Sequence, residues 1–206
     1  MAHYFDAEPT TESVKRTVEY RVNGMNFSFV TDTNTFSRNG VDKGTDLMIT
    51  TVIDDIKSRG AHKGERLLDL GCGWGVVGIT MKKVFMAFDV TQTDVNARAV
   101  KLAKENAELN RVKIDMQVAG DVLGGVPEDK KFDIVMTNPP VRAGKQTVFA
   151  FYDQAFAHMD KGATIYVVLQ RKQGAPSSQK KLEELFGNCE TIAISGGYHI
   201  MKSVKE

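Results

Sequence analysis

The sequence predicts an α/β fold built on a doubly wound, mostly parallel sheet of seven strands. From residue 65 onward, short apolar runs alternate with stretches of helical periodicity, as expected of strands joined by helical crossovers. A glycine-rich turn follows the first of these runs, at residues 71–75. The last two runs are separated only by Gly196-Gly197. Because that connection is too short for a crossover, we expect an antiparallel C-terminal hairpin.

The N-terminal part of the chain carries a strong hairpin signal. Asn23-Gly24 lies between two runs of alternating apolar and polar residues. In the two-residue register Val18 faces Phe29, so one face of the hairpin is apolar. An isolated hairpin is only marginally stable in water, so this face must pack against something else. We expect this extension to cover the main domain, with a lid or a recognition surface as the alternative.

The remaining elements follow from their periodicity. Thr45 is the predicted N-cap of the first helix, which ends before Gly60. Residues 1–44 are then an N-terminal segment with the β-hairpin, and residues 45–206 form the main domain. The predicted strands are 65–70, 87–93, 113–119, 132–137, 163–170, 189–195 and 198–203, and the predicted helices between them are 75–84, 95–109, 145–159 and 177–186.

Composition narrows the class of protein. The chain has 206 residues, of which 42% are hydrophobic and 26% charged, which fits one globular core. Its net charge of +1 means that nucleic-acid binding would depend on a local patch. Cys72 and Cys189 are far apart and the histidines share no ligand spacing, so neither a disulfide framework nor a metal site is expected. No apolar run has transmembrane length and no leader is evident, which predicts a cytoplasmic protein without a membrane partner.

The glycine-rich turn is the main candidate for ligand binding. An apolar run ends around Asp69, and Gly71, Gly73 and Gly75 follow at alternate positions. This pattern predicts a buried strand, a tight loop and a helix start, where free backbone amides can contact a ligand. Cys72 within the loop is expected to be a packing residue rather than a nucleophile, because no histidine accompanies it.

Two cofactor classes compete for this loop. Residues 73–78 fit the G-x-G-x-x-G dinucleotide fingerprint, with Asp94 at a suitable distance downstream. Against a nicotinamide or flavin enzyme, Asp69 directly before the turn suits a cationic ligand rather than a pyrophosphate. The chain also has no later domain of useful size to hold a hydride-transfer substrate. Asn138-Pro139-Pro140, at the end of the fourth strand, is not needed by a dehydrogenase.

In combination, these features resemble the class I S-adenosylmethionine-dependent methyltransferases, from about residue 30 to the C-terminus. The resemblance is closest to the "small" methyltransferase domain found in ribosomal RNA guanine-N2 methyltransferases. It implies a Rossmann-like methyltransferase fold with S-adenosylmethionine as cofactor. The residues that carry the resemblance are Asp69 with the glycine loop, Asp94, Asp121, Asn138-Pro139-Pro140 with the run to Lys145, Phe36-Ser37, Val41-Asp42-Lys43-Gly44 and Gly197-Tyr198-His199-Ile200.

The resemblance assigns cofactor contacts to three strand ends. Asp69 would hold the methionine ammonium, directly or through water. Asp94 would accept both ribose hydroxyls, and an N-cap role for the helix from Val95 is a compatible alternative. Asp121 would accept the adenine amine, with a solvated turn acid as the alternative. The full predicted cofactor set is Asp69, Gly71, Cys72, Gly73, Gly75, Asp94, Val95, Gly120, Asp121, Val122 and Asn138.

Asn138-Pro139-Pro140 is the predicted catalytic turn. The residue before a proline is extended, and two successive prolines stiffen the loop. The Asn138 side-chain carbonyl and the Pro139 backbone carbonyl are then two acceptors for the two hydrogens of an exocyclic amine. Held in this way, the nitrogen lone pair can be aimed at the methyl carbon for in-line displacement, and orientation supplies most of the catalysis.

The residues after the prolines are predicted to contact the substrate. Val141 offers an apolar contact, whereas many amino-methylating enzymes have Tyr or Phe there to stack on a flipped base or to hold a glutamine amide. Arg142 and Lys145, with Arg171 and Lys172 after the fifth strand, are expected to form a basic rim that reaches a phosphate backbone. A merely solvated rim is the alternative.

We therefore predict an S-adenosylmethionine-dependent methyltransferase that acts on an exocyclic amine of RNA, with guanine N2 in ribosomal RNA as the expected target. Its partner would be ribosomal RNA or a ribosomal subunit. Two alternatives stay open. One is methylation of a protein glutamine amide or a small molecule, and the other is a non-catalytic factor that binds the same cofactor.

Overall fold

The structure is a computed structural model that describes residues 12–33, 35–60 and 64–206. Part of the predicted N-terminal segment, residues 1–11, therefore lies outside the described residues. In chain order the regular elements are β1 Arg16–Val22, β2 Met25–Thr31, α1 Lys43–Ser58, β3 Arg66–Leu70, α2 Val76–Val84, β4 Asp89–Asp94, α3 Ala97–Leu109, β5 Met116–Ala119, β6 Phe132–Thr137, α4 Lys145–Ala157, β7 Met159–Gln170, α5 Ala175–Phe186, β8 Glu190–Ser195 and β9 Tyr198–Val204.

The main sheet has seven strands in the order β5-β4-β3-β6-β7-β9-β8. Strands β3 to β7 pair in parallel, while β9 is antiparallel to both β7 and β8. The predicted fold class and the C-terminal hairpin are confirmed. The strand order reverses between β3 and β6, and ligands of doubly wound sheets bind at the carboxyl ends of the strands beside such a switch point.

The start of α1 differs from the prediction. Asp42, in extended conformation, is the N-cap, and its carboxylate accepts hydrogen bonds from the backbone amides of Gly44 and Thr45. The predicted cap, Thr45, is wrong by three residues and lies in the first helical turn. A carboxylate satisfies two helix amides and interacts favourably with the positive end of the helix dipole, which explains the preference for Asp42.

Strand β7 is longer than predicted. It begins at Met159 rather than at residue 163, and it pairs with β6 through a register shift between Phe132 and Ile134. Gly162, with a φ of 87°, lies in the extra segment. A glycine tolerates this backbone conformation at little cost, so the irregular start of the strand is accommodated there.

The N-terminal hairpin packs against the main sheet and its helices. Val18 pairs with Phe29 in the predicted register, and both lie in one apolar cluster with Met48 of α1. Two side-chain amides, one in α3 and one at its C-cap, complete the backbone pairing of β2. Asn106 exchanges two hydrogen bonds with the backbone of Val30, at 2.7 and 2.8 Å. The hairpin is therefore fixed on the core, while the division between residues 44 and 45 stays a prediction.

A second pair of bonds extends this attachment by one helical turn. Asn110 accepts from the backbone amide of Ser28 at 3.2 Å and donates to its carbonyl at 2.8 Å. The two asparagines thus take the place of a neighbouring strand along β2. Within the described part of the chain, no helix is long and apolar enough to cross a membrane.

Candidate active site

A cavity of about 420 Å³ lies at the carboxyl ends of β3, β4 and β6, beside the switch point. Its walls come from the glycine loop, the end of β4, the Asn-Pro-Pro turn and the segment before α1. The predicted site residues that line it are Asp69, Gly71, Cys72, Gly73, Asp94, Val95, Asn138, Pro139, Pro140, Val141 and Arg142. The predicted residues that do not line it are Gly75, Gly120, Asp121, Val122, Lys145 and Lys172.

Asp69 is a buried carboxylate held at the base of this cavity. It is 2% exposed, and its Oδ2 accepts hydrogen bonds from the Gly78 amide and from Gln92 Nε2, both at 2.9 Å. Burial raises the pKa of Asp69 to about 6, against the smaller lowering effect of these two bonds. Since both of these hydrogen bonds go to Oδ2, Oδ1 is left for a ligand in the cavity that the residue lines.

Gln92 supports the site without lining the cavity, and the sequence did not indicate it. Its Nε2 also donates to the Gly75 carbonyl at 3.0 Å, and its Oε1 accepts from Gln117 at 2.7 Å. A Cβ at Gly78 would lie 2.6 Å from Gln92 Nε2, so only glycine admits this side chain. Gln92 thereby connects Asp69 to the glycine loop. The signal was a polar residue within a strand expected to be buried on both faces.

Asp94 joins the end of β4 to the glycine loop. One carboxylate oxygen accepts from the Gly73 amide at 2.8 Å and the other from the Asn96 amide at 2.9 Å. Burial raises the pKa of Asp94, and these bonds oppose the effect. The alternative of an N-cap for the helix from Val95 is wrong, because the side chain of Asn96 caps α3. Asp94 remains on the cavity wall with both oxygens oriented by backbone amides.

Gly71 and Gly75 of the loop have different structural roles. Gly71 has a φ of 76° and lines the cavity, where an added Cβ would lie 3.1 Å from the ring of Phe151. Gly75 has a φ of 92° and faces α3, where a Cβ would lie 2.9 Å from Ala103 Cβ. Gly75 therefore shapes the loop through close helix packing, and a direct cofactor contact there stays a prediction.

The end of β5 lies outside the cavity. Asp121 is exposed, and Val122 is buried in an apolar cluster that includes residues of α4 and α5. Gly120 packs against Gly125, because a Cβ added at Gly120 would lie 2.8 Å from the backbone nitrogen of Gly125. The predicted adenine contact of these residues stays a prediction.

Asn138 is anchored by residues from α1. Its Nδ2 donates to Thr45 Oγ1 at 3.0 Å and makes a longer contact of 3.5 Å with Asp42 Oδ2. The Pro139 carbonyl, the second predicted acceptor, already accepts from the Val141 amide at 2.8 Å. A carbonyl oxygen has two lone pairs, so one remains for a substrate. The turn thus offers two acceptors, of which one is shared.

Other lining residues were missed as site residues. Trp74 Nε1 donates to the Phe36 carbonyl at 2.8 Å and fixes the segment before α1 over the cavity. Tyr198 donates to Asp42 at 3.1 Å. The resemblance had included Phe36, Asp42 and Tyr198 but gave them no role. The lining residues for which no role in the site was predicted are Thr35, Phe36, Ser37, Asp42, Thr45, Trp74, Val76, Val77, Ala99, Phe151, Gln173 and Tyr198.

The predicted basic rim is divided in two. Arg142 is exposed and lines the main cavity, whereas Arg171 and Lys172 line a neighbouring groove beside the β8–β9 turn. Lys145 lies 5.1 Å from the ring centroid of Phe149 on its own helix. Among the described residues, no group of three or more His, Cys, Asp or Glu side chains is arranged to hold a metal ion.

Comparison with known proteins identifies relatives along most of the chain. An uncharacterized protein of Bacillus subtilis, YbxB, is 36% identical over 203 residues, which cover 98% of both chains. Ribosomal RNA small subunit methyltransferase C of Idiomarina loihiensis is 30% identical, over 92% of this chain and 53% of its own. The chain thus spans about half the length of the curated relatives with a named activity.

Solved structures show the same fold. A T. thermophilus 16S rRNA N2 methyltransferase, in complex with AdoMet and guanosine, superimposes with a TM-score of 0.85 at 24% identity, over 96% of this chain and 52% of its own. A methyltransferase from Pyrococcus furiosus gives 0.61 at 23% identity, over 76% of this chain and 83% of its own. Residues 26–202 match the family profile described as the methyltransferase small domain. The predicted methyltransferase resemblance is confirmed, and the chain belongs to the methyltransferase small-domain family.

Proposed function

We propose that this protein is an S-adenosylmethionine-dependent methyltransferase that methylates an exocyclic amine of RNA, with guanine N2 of ribosomal RNA as its target. The observation that carries the proposal is the Asn138 amide at the switch-point cavity. Its nitrogen is bonded to Thr45, so its carbonyl oxygen is left to accept from a substrate N–H. Relatives with a named activity include ribosomal RNA small subunit methyltransferases, which supports the same substrate class.

The residues of the cavity fit S-adenosylmethionine. Asp69 and Asp94 both line it, and neither forms an ion pair with another described residue. A buried carboxylate without a cation fits the ammonium of the methionine moiety, and a carboxylate at the end of β4 fits a pair of ribose hydroxyls. Gly71 and Gly73 leave the backbone accessible between them. When bound, the cofactor supplies an electrophilic methyl group.

The Asn-Pro-Pro turn performs orientation rather than proton abstraction. Asn138 Oδ1 accepts one hydrogen of the exocyclic amine, and the second lone pair of the Pro139 carbonyl accepts the other. With both hydrogens held, rotation about the bond between the ring carbon and the nitrogen is restricted. The nitrogen lone pair then points into the cavity, in a site whose dipoles are already oriented.

The substrate side of the proposal is RNA, and more narrowly ribosomal RNA or a ribosomal subunit. Arg142 at the cavity mouth and Arg171 and Lys172 in the adjacent groove are exposed, and none forms an ion pair with another described residue. Such cations contact phosphates and position the strand without reading its sequence. This substrate implies a cytoplasmic location.

Mass spectrometry of ribosomal RNA from a strain that lacks the protein tests the proposal. The expected result is the loss of one N2-methylguanosine, restored by the wild-type gene and not by an Asn138→Ala variant. If every methylated base is still present at full level, the ribosomal target is wrong.

A second substrate class is favoured by one observation, that the two acceptors of the turn suit any NH2 group. Val141 offers no aromatic face for a flipped base or for a glutamine amide, so the acceptors suit a protein amide or a small-molecule amine as well as an RNA base. Labelled-methyl transfer into fractionated lysate separates the candidates. Label that survives ribonuclease but not protease would favour a protein amide. Cofactor binding without transfer to any fraction would favour a non-catalytic role.

A further inference from the structure

We infer that Thr45, in the first turn of α1, and Asp42, the N-cap of that helix, are positioning residues that set which end of the Asn138 amide faces the substrate. The inference rests on the proposed function and deepens it, because it explains how the site selects N–H donors. It concerns the Val41-Asp42-Lys43-Gly44 motif, which the methyltransferase resemblance included without a role.

The first argument is the pattern of donors and acceptors around Asn138. Thr45 is 5% exposed, and its Oγ1 lies 3.0 Å from Asn138 Nδ2. Asp42 Oδ2, which caps α1 through the amides of Gly44 and Thr45, lies 3.5 Å from the same nitrogen. A side-chain amide has donors at one end and acceptors at the other, and an ionised carboxylate only accepts. A flipped amide could still accept from the Thr45 hydroxyl, but it would point its oxygen at the Asp42 carboxylate, which cannot donate. Thr45 therefore anchors the amide, and Asp42 decides which end of it faces the helix.

The second argument is that Asp42 is itself fixed from another part of the chain. Its Oδ1 accepts a hydrogen bond from the Tyr198 hydroxyl at 3.1 Å. The ring of Tyr198 packs over Gly44, where a Cβ would lie 2.5 Å from Tyr198 Cδ1. Glycine is therefore required for the tyrosine to reach Asp42. The Asp42 carboxylate therefore connects the start of α1, the Asn-Pro-Pro turn and the C-terminal hairpin.

The chemical consequence is selectivity at the reacting atom. With its nitrogen bonded to Thr45, Asn138 presents Oδ1 to the cavity, and an acceptor pairs with an amine or amide hydrogen. A carbonyl oxygen or an unprotonated ring nitrogen placed there would face a lone pair and remain unpaired, which is costly in a desolvated site. The first turn of α1 thus contributes to the choice of an N–H substrate without touching it.

Thr45→Val and Thr45→Ser test this role as a matched pair. Valine keeps the shape of threonine and removes the oxygen, whereas serine keeps the oxygen. We expect Thr45→Val to lower kcat for methyl transfer to RNA by about 10- to 100-fold, the size of effect caused by a misoriented reacting group. Cofactor affinity by calorimetry should stay within about twofold, and Thr45→Ser should restore most of kcat. An unchanged kcat in Thr45→Val, or an equal loss in Thr45→Ser, would overturn the inference.

A readout that does not need activity comes from the side-chain amide itself. The Asn138 NH2 resonances, assigned by their disappearance in Asn138→Ala, should move in Thr45→Val and return toward their wild-type position in Thr45→Ser. Unmoved resonances would show that Thr45 does not hold the amide. If wild-type protein fails to methylate RNA, the proposed function fails, while the resonances still decide whether Thr45 orients Asn138.

Discussion

The charged side chains on the inner wall of the cavity and those on its outer rim differ in sign and in how firmly they are held. On the inner wall, Asp69 and Asp94 accept hydrogen bonds of 2.8 to 2.9 Å from backbone amides and from a buried glutamine. On the rim, Arg142 and Lys172 are exposed and form no ion pair with another described residue. Fixed carboxylates suit one small ligand in one pose, whereas exposed cations suit a polyanion that is positioned loosely and screened by salt.

The largest effect, on kcat, is expected at Asn138, where the inner wall and the outer rim of the cavity meet. Asn138→Ala removes the acceptor that we propose orients the amine, and loss of one oriented polar group of this kind is expected to lower kcat by about 100- to 1,000-fold. Single-turnover methyl transfer measures the effect, with cofactor affinity and Tm as controls. A variant that keeps wild-type kcat would show that the turn is structural.

The next largest effect belongs to the inner wall. Asp69→Asn keeps the shape but removes the charge, and a hydrogen bond to a charged group contributes about 1.5–3 kcal/mol. We therefore expect cofactor affinity to fall by about 10- to 100-fold, as measured by calorimetry. Asp129→Asn, an exposed acid in the β5–β6 connection, is the matched control and should bind normally. Equal affinities in the two variants would remove Asp69 from the cofactor site.

Cofactor affinity should also depend on pH through Asp69. Its pKa is raised to about 6 from an ordinary value of 3.8, so the folded chain binds this proton more tightly than the unfolded chain. The corresponding stability of the ligand-free protein is complete below about pH 4 and is lost as the pH rises through about 6. A cationic ligand favours the ionised carboxylate, so affinity should fall about tenfold from pH 7 to pH 5. The same titration on Asp69→Asn should be flat, and a slope in that variant would assign the dependence to another group.

The smallest effect is expected on the rim. Arg142→Gln and Lys172→Gln should each weaken RNA binding several-fold and reduce the slope of log affinity against log salt by about 1. Cofactor affinity should not change. Lys104→Gln, an exposed position on α3, serves as the control. A salt slope that changes equally in all three variants would show that the rim is only a solvated surface.

The sequence was sufficient for features that rest on local rules. The Asn-Gly hairpin, the glycine loop and the alternation of strands and helices depend on turn chemistry and on periodicity, and the structure has them in the predicted order, with some strand and helix ends shifted by a few residues. The error at Thr45 has the same origin, because Asp42 and Thr45 both suit an N-cap and only the fold decides between them.

The remaining site residues depend on contacts between distant parts of the chain. Asn138 and Thr45 are 93 residues apart, and Tyr198 and Asp42 are 156 apart. Neither pair leaves a pattern in one local window. Gln92 is fully buried in β4 and binds Asp69 of β3 from the neighbouring strand. Its role follows from strand pairing, which periodicity alone does not determine.

The most direct test of a site that orients an exocyclic amine is to identify the atom that receives the methyl group. Purified wild-type protein and Asn138→Ala are incubated with S-adenosylmethionine and ribosomal RNA from a strain that lacks the protein, and the nucleosides are analysed by mass spectrometry. We predict N2-methylguanosine from the wild-type protein and at least about 100-fold less from the variant. Methylation of a ring nitrogen or of a ribose oxygen, or equal products from both proteins, would contradict this account.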